Sequence, residues 1–210
     1  MPASSEGHLN CQEGEVELNL KMTDGPQVYE PTERWTVTDA SELYDVAAWS
    51  KGYFSVGENG HLWVHPNKDP NRRADLKALV DSLVLRGINL PILIRFAEIL
   101  KDRLSDLHSA FRAAITEHNF QGNYICVYPI KVNQQRQVVE EVFKHGRPFG
   151  FGLEAGSKPE LLAVLGISEN DTPILCNGFK DDEYIEMVML AAKMGRRIIP
   201  VVEKYTELDL

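Results

Sequence analysis

Four strand-like runs begin near Tyr124, Phe149, Pro173 and Arg197, a spacing of roughly 25 residues that matches one strand plus one helix. Each completed interval carries its own helical punctuation. In the first, Val138, Val139, Val142 and Phe143 fall on one helical face ahead of Gly146. In the second, Ser157 stands as N-cap with Glu160 at the third helical position, a capping box, and Gly166 is the expected stop. The third opens on Asp181, Asp182 and Glu183, acids at the positive end of the helix dipole, and stops at Gly195. Such alternation dictates a parallel sheet covered by helices, an α/β fold. The fourth strand, Arg196 to Glu203, runs into Tyr205–Leu210, which reads as the opening of another helix. Two architectures fit these strands: a small open α/β domain, or the front part of a (β/α)8 barrel.

The chain ahead of the repeat divides in two. Residues 1–34 are polar and acidic with scattered Gly and Pro, and read as a disordered leader that cannot bury enough apolar surface to fold. Residues 35–89 read as a lead-in of helix, β-hairpin and helix. Asp39 with Glu42 is the expected capping box of a short helix ending at Gly52. Tyr53–Val56 and His61–Val64 flank Gly57-Glu58-Asn59-Gly60, a hairpin signal. A helix from Asp75 to Arg86 is stopped by Gly87. Residues 90–210 are the repeating region, prefaced by an apolar strand over Leu90–Phe96. A long helix then carries Leu100, Leu104, Leu107, Phe111 and Ile115 on one face.

Composition narrows the partners. A net charge of −9 disfavours nucleic acid and anionic membrane, both of which reward a basic patch. Cys11, Cys126 and Cys176 are odd in number and far apart, which fits a reducing cytoplasm better than a disulfide framework or a zinc site. Met1–Lys21 lacks the apolar core of a signal peptide, and no apolar run approaches the roughly 20 residues that cross a bilayer. His61 and His65 have no Cys or carboxylate at ligand spacing, so no metal site is expected there. Arg72-Arg73 and Arg196-Arg197 read as solvated basic pairs, and no Gly-rich phosphate loop is present.

In parallel α/β folds, ligands gather at the C-terminal ends of the strands. The four strands deliver Lys131, Glu154, Asn177 and Glu203 to that rim. Each shares strand parity with the residue two positions back (Pro129, Gly152, Leu175, Val201), so all four are expected to face one way. A lysine sheltered at such a rim, its pKa pulled down by desolvation, is the nucleophile that condenses with an aldehyde cofactor. On spacing alone a solvated lysine, with Glu154 as a plain ion-pair partner, is the commoner case. Asn177 could serve only its own loop, and Lys204 beside Glu203 marks that strand end as exposed.

The segment Val127-Tyr128-Pro129-Ile130-Lys131-Val132-Asn133-Gln134 resembles the cofactor-lysine segment of the biosynthetic arginine decarboxylases, alanine-racemase-like (fold type III) enzymes dependent on pyridoxal phosphate (PLP). Gly152–Leu161, Cys176–Ile185 and Val201–Lys204 resemble the same family, as do Trp49 with Gly52-Tyr53-Phe54 and Leu90–Phe96. The resemblance runs in order from about residue 34 to the end.

That resemblance implies the barrel rather than the open domain, as the truncated front part of a longer enzyme with a β-rich domain and a homo-oligomeric, dimer-based assembly. It implies Lys131 as the lysine that holds PLP, Glu154 as the carboxylate beside it, and Asn177 and Glu203 as further cofactor-wall residues. It implies decarboxylation of L-arginine to agmatine and CO2, toward polyamines such as spermidine, with magnesium as an associated ion. The phosphate site, the partner of the ring nitrogen, the proton donor and most of a guanidinium pocket are expected beyond Leu210, so the 210 residues alone are expected to bind PLP poorly and to be inactive. The lysine strand does not choose among arginine, ornithine, lysine and diaminopimelate. A non-catalytic PLP-binding protein on part of the same barrel is the alternative of another class.

Overall fold

In the computed structural model, residues 34–209 are described; the expected polar leader lies outside the described residues apart from its last one. From Thr36 onward the chain is one compact unit. Helix α1 (Val37–Leu43) is capped three residues earlier than expected: Thr36 Oγ1 accepts from the Asp39 amide, and the Asp39 carboxylate accepts from the Thr36 amide. Asp39 is therefore the third helical residue of the box, not its cap. A second short helix, α2 (Val46–Ser50), ends as Lys51 and Gly52 turn to positive φ.

The hairpin forms as the Gly57–Gly60 turn requires, pairing β1 (Phe54–Val56) with β2 (Leu62–Val64) in antiparallel register. A two-residue strand, β3 (Ala74–Asp75), adds to β2. Asp75 then caps α3 (Leu76–Leu85), accepting from the Ala78 amide, and Gly87 at φ +83° closes it. The strand expected over Leu90–Phe96 does not form. Pro91 has no amide to donate, and the segment has no strand beside it, so it crosses as irregular chain into α4 (Ala97–Glu117). Tyr53 and Lys68 tie the lead-in to α4 through Asp102 (2.7 Å from the phenol) and Asp106 (2.6 Å from the amine).

The repeat then runs β4 (Val127–Pro129), α5 (Arg136–Gly146), β5 (Gly152–Ala155), α6 (Lys158–Ile167), β6 (Ile174–Cys176), α7 (Asp182–Lys193), β7 (Ile198–Pro200). α5 ends at Gly146, where the chain tightens into a 310 turn at Arg147–Phe149 and reverses at Gly150, φ +74°, which delays β5. Gly166, in contrast, lies inside α6. That helix ends on the Arg196 guanidinium, which donates to the carbonyls of Ser168 (2.6 Å) and Leu165 (3.0 Å), so Arg196 is a C-cap rather than a solvated charge. Beyond β7, where the opening of another helix is expected, Tyr205–Leu208 forms a short 310 helix.

The strands pair in parallel and in chain order, β4-β5-β6-β7. Leu153, Ala155, Ile174 and Cys176 point to the side where Val139 of α5, Leu161 and Val164 of α6, and Tyr184 and Val188 of α7 close the core. Pro129, Glu154, Leu175 and Ile199 share the opposite, helix-free face. Helices on one face only, over strands that never reverse order, are the winding of a (β/α)8 barrel rather than of a doubly wound sheet.

Candidate active site

Glu154 sits on the helix-free face near the C-terminal end of β5, paired in register with Pro129 of β4. β4 ends at Pro129, which lies on that same face. The next three residues, Ile130–Val132, form a 310 turn, so Lys131 is carried by a turn and not by the strand as parity anticipated. The turn buries Ile130 in the core and brings the Lys131 amine 3.4 Å from the Glu154 carboxylate. The carboxylate is 17% exposed and the lysine side chain 60% exposed. The pair therefore forms as anticipated, while the shelter anticipated for the amine is not provided by the described residues.

The other two rim candidates form a separate pair. Asn177 Oδ1 and Glu203 Oε2 both accept from the Gly178 amide, at 3.0 and 3.2 Å. Asn177 thus folds its side chain back on its own loop, and Glu203 spans from the segment after β7 to that loop. Gly178 holds φ +106° and passes so close to Gly156 that a Cβ would lie 2.7 Å from the Gly156 carbonyl oxygen.

The turn between β5 and α6 is held from several sides. Ser157 accepts from the Glu160 amide, and the Glu160 carboxylate accepts from the Gly156 amide at 2.7 Å, one residue before the amide a capping box would use. Gln134, just past the Lys131 turn, donates to the same carboxylate at 3.1 Å. Lys158 bridges to Asp181 and Glu183, and hydrogen bonding to Lys158 first, then to the Tyr184 amide, holds Asp181 below the usual carboxylate range. Beneath the rim, Tyr184 donates to the Ala155 carbonyl at 2.7 Å; burial pushes its phenol, and the thiol of Cys176, above their ordinary values.

One residue that sequence reasoning missed is Lys180. It opens the charged run Lys180–Glu183 and has every local mark of a solvated residue, yet its side chain is 1% exposed. Its partners, Glu203 and Glu207, arrive from the far side of α7 and β7, so no local signal could reveal the burial. His61 is a second case: Asp75, brought in by β3, lies 2.8 Å from its Nδ1.

A primary amine within ion-pair reach of a carboxylate, at the C-terminal rim of a parallel sheet, fits an aldehyde cofactor that condenses with lysine. Magnesium finds no such fit: among the described residues no group of three or more His, Cys, Asp or Glu could hold a metal ion.

Residues 104–210 match the model of the pyridoxal-dependent decarboxylase family, pyridoxal binding domain. The chain belongs to that family. Its relatives include the biosynthetic arginine decarboxylases of Rhodopirellula baltica (51% identical over 177 residues, 84% of this chain and 26% of the relative) and Gloeobacter violaceus (49% identical, 84% and 28%). Among solved structures, the biosynthetic arginine decarboxylase of Campylobacter jejuni superposes with a TM-score of 0.73 at 33% identity, over 79% of this chain and 27% of that one. The chain thus spans about a quarter of the length of the relatives it matches. Among the described residues no helix is long and apolar enough to cross a membrane.

Proposed function

We propose that the protein decarboxylates L-arginine to agmatine and CO2, with Lys131 as the residue that holds PLP. The observation that carries this reading is the Lys131–Glu154 pair, formed by the turn after β4 and the end of β5, in a chain whose relatives bear the name biosynthetic arginine decarboxylase. PLP, when bound, supplies an electron sink for the pair left behind as the substrate carboxylate departs. Lys131 Nζ would hold the cofactor through its aldehyde carbon, in the place the substrate α-amine would take. Glu154, 3.4 Å away, orients the amine and would hold a proton within its reach. Asn177 and Glu203, as wall residues, act through the Gly178 loop they fasten.

The organisation proposed with this activity is a lead-in over residues 35–89 and a barrel portion over 90–210, in a cytoplasmic homo-oligomer. Turnover of arginine, ornithine, lysine and diaminopimelate by the full-length protein, with borohydride trapping of PLP as a parallel readout, tests it. Preferred release of agmatine supports the reading. Faster turnover of any of the other three moves the substrate, and PLP retention with no turnover of any of them leaves a binding protein.

A further inference from the structure

Lys180 lies in the loop between β6 and α7, buried, with its amine donating to the Gly178 carbonyl at 2.6 Å and to Glu207 at 3.2 Å, and standing 3.6 Å from Glu203. Glu207, 5% exposed, also accepts from the amides of Glu203 and Lys204. A charged amine is costly to bury unless it is paired and hydrogen-bonded, and here both conditions are met by carboxylates from the segment after β7. What the amine holds is the stretch Asn177–Gly178, whose amide is tied to Glu203 and whose backbone rests on Gly156 with no room for a Cβ. Gly156 follows β5 directly, two residues after Glu154. Contact thus runs from Lys180 through Gly178 to Gly156, and the backbone continues it through Ala155 to Glu154, whose carboxylate stands beside Lys131.

We propose that Lys180 is a positioning residue for the Lys131–Glu154 pair, clamping the loop after β6 between Gly156 and the Tyr205–Leu208 turn. The proposal rests on the reading of Lys131 and Glu154 given above. A close-packed loop with one clamped geometry passes a small displacement on to its neighbour, and misplacement of a reacting group by about 1 Å can cost about 10²-fold in rate.

The test uses the full-length, PLP-loaded enzyme with Lys180→Met/Glu207→Gln, which removes the amine and the carboxylate charge it would leave unpaired, and with Lys180→Gln as a second variant. Thermal melts report the fold, borohydride trapping reports PLP on Lys131, and kcat, KM and the pH at which the cofactor-bound lysine titrates report the pair. The expected result is a native-like melt and continued trapping on Lys131, with kcat about 10²-fold lower, KM little changed, and the titration of the bound lysine displaced. A foldable variant with native kcat and native titration overturns the role of Lys180 while leaving Lys131 in place. Failure of the native enzyme to trap PLP on Lys131 overturns the functional reading and this proposal together. If neither variant folds, Lys180 is a structural keystone and the positioning role is lost.

Discussion

The Lys131 amine stands 3.4 Å from the Glu154 carboxylate because two independent features converge. Parallel register sets Pro129 opposite Glu154, and the 310 turn that follows Pro129 buries Ile130 while leaving Lys131 at the rim. Were β4 to continue as a strand, its next residues would carry the amine past the carboxylate at about 3.3 Å per residue. The turn keeps the two groups level. The lysine side chain is 60% exposed and that of Glu154 17%, so the carboxylate is the sheltered member of the pair.

Removing either member has a distinct signature. Lys131→Ala is expected to abolish borohydride-stable attachment of PLP and to reduce decarboxylation to background. Glu154→Gln keeps the lysine and is expected to retain trapping while kcat falls about 10²-fold, the usual scale for a positioned acid or base. Peptide mapping after reduction, with steady-state kinetics on the same preparations, checks both.

The core beneath the rim separates two magnitudes. Leu153 is buried against all three helices' layer, and Leu153→Ala is expected to cost about 2–5 kcal/mol through lost burial and a residual cavity. Tyr184→Phe removes the donor to the Ala155 carbonyl, which still accepts from the Asn177 amide, so about 1 kcal/mol is expected. Urea titrations of the two variants should rank them in that order.

Gly152 is required by strand proximity rather than by backbone angle. A Cβ there would meet the Pro173 carbonyl oxygen at 2.5 Å, the same oxygen that accepts from the Leu153 amide where β5 approaches β6. Gly152→Ala is expected to cost about 1–3 kcal/mol as the strands part. Loss of amide protection at Leu153 in hydrogen exchange, ahead of residues in α3, would show where the strain falls.

Acid should destabilise the fold through named carboxylates. Hydrogen bonds from the Glu203 amide hold Glu207 below its ordinary 4.5. Lys68 does so for Asp106, Lys158 for Asp181 and the Ala78 amide for Asp75, each below 3.8. For a depressed carboxyl, the unfolded chain binds protons first as pH falls, so the contribution is complete above the unfolded value and disappears toward the folded one. Melting temperature is therefore expected to be flat above about pH 5 and to drop steadily below about pH 4. Lys158→Met should make that drop shallower; an unchanged slope would remove Asp181 from the account.

Local signals were legible where local forces decide. Ser157 caps its helix as its side chain and spacing anticipate, because an N-cap is settled within four residues; Asp181, expected only as one of three acids at the positive end of α7, is that helix's N-cap. The hairpin at Gly57–Gly60 and the stop at Gly195 follow for the same reason. The expected strand over Leu90–Phe96 failed because apolar content does not make a strand without a neighbour to pair with. Arg196 read as solvent-facing because its acceptors, the end carbonyls of α6, lie 28 and 31 residues away.

The amino-acid sequence by itself determined the strand–helix repeat, the helix stops at Gly87 and Gly195, and the presence of an amine and a carboxylate just past and at the ends of successive strands, since each depends on residues a few positions apart. Tertiary structure alone decided that the strands stack in chain order with α5, α6 and α7 on one face, that Lys131 rides a turn beside Glu154, and that Lys180 is buried between Glu203 and Glu207. Those outcomes rest on contacts between distant residues, where burial and the cost of leaving a charge unpaired outweigh any local preference.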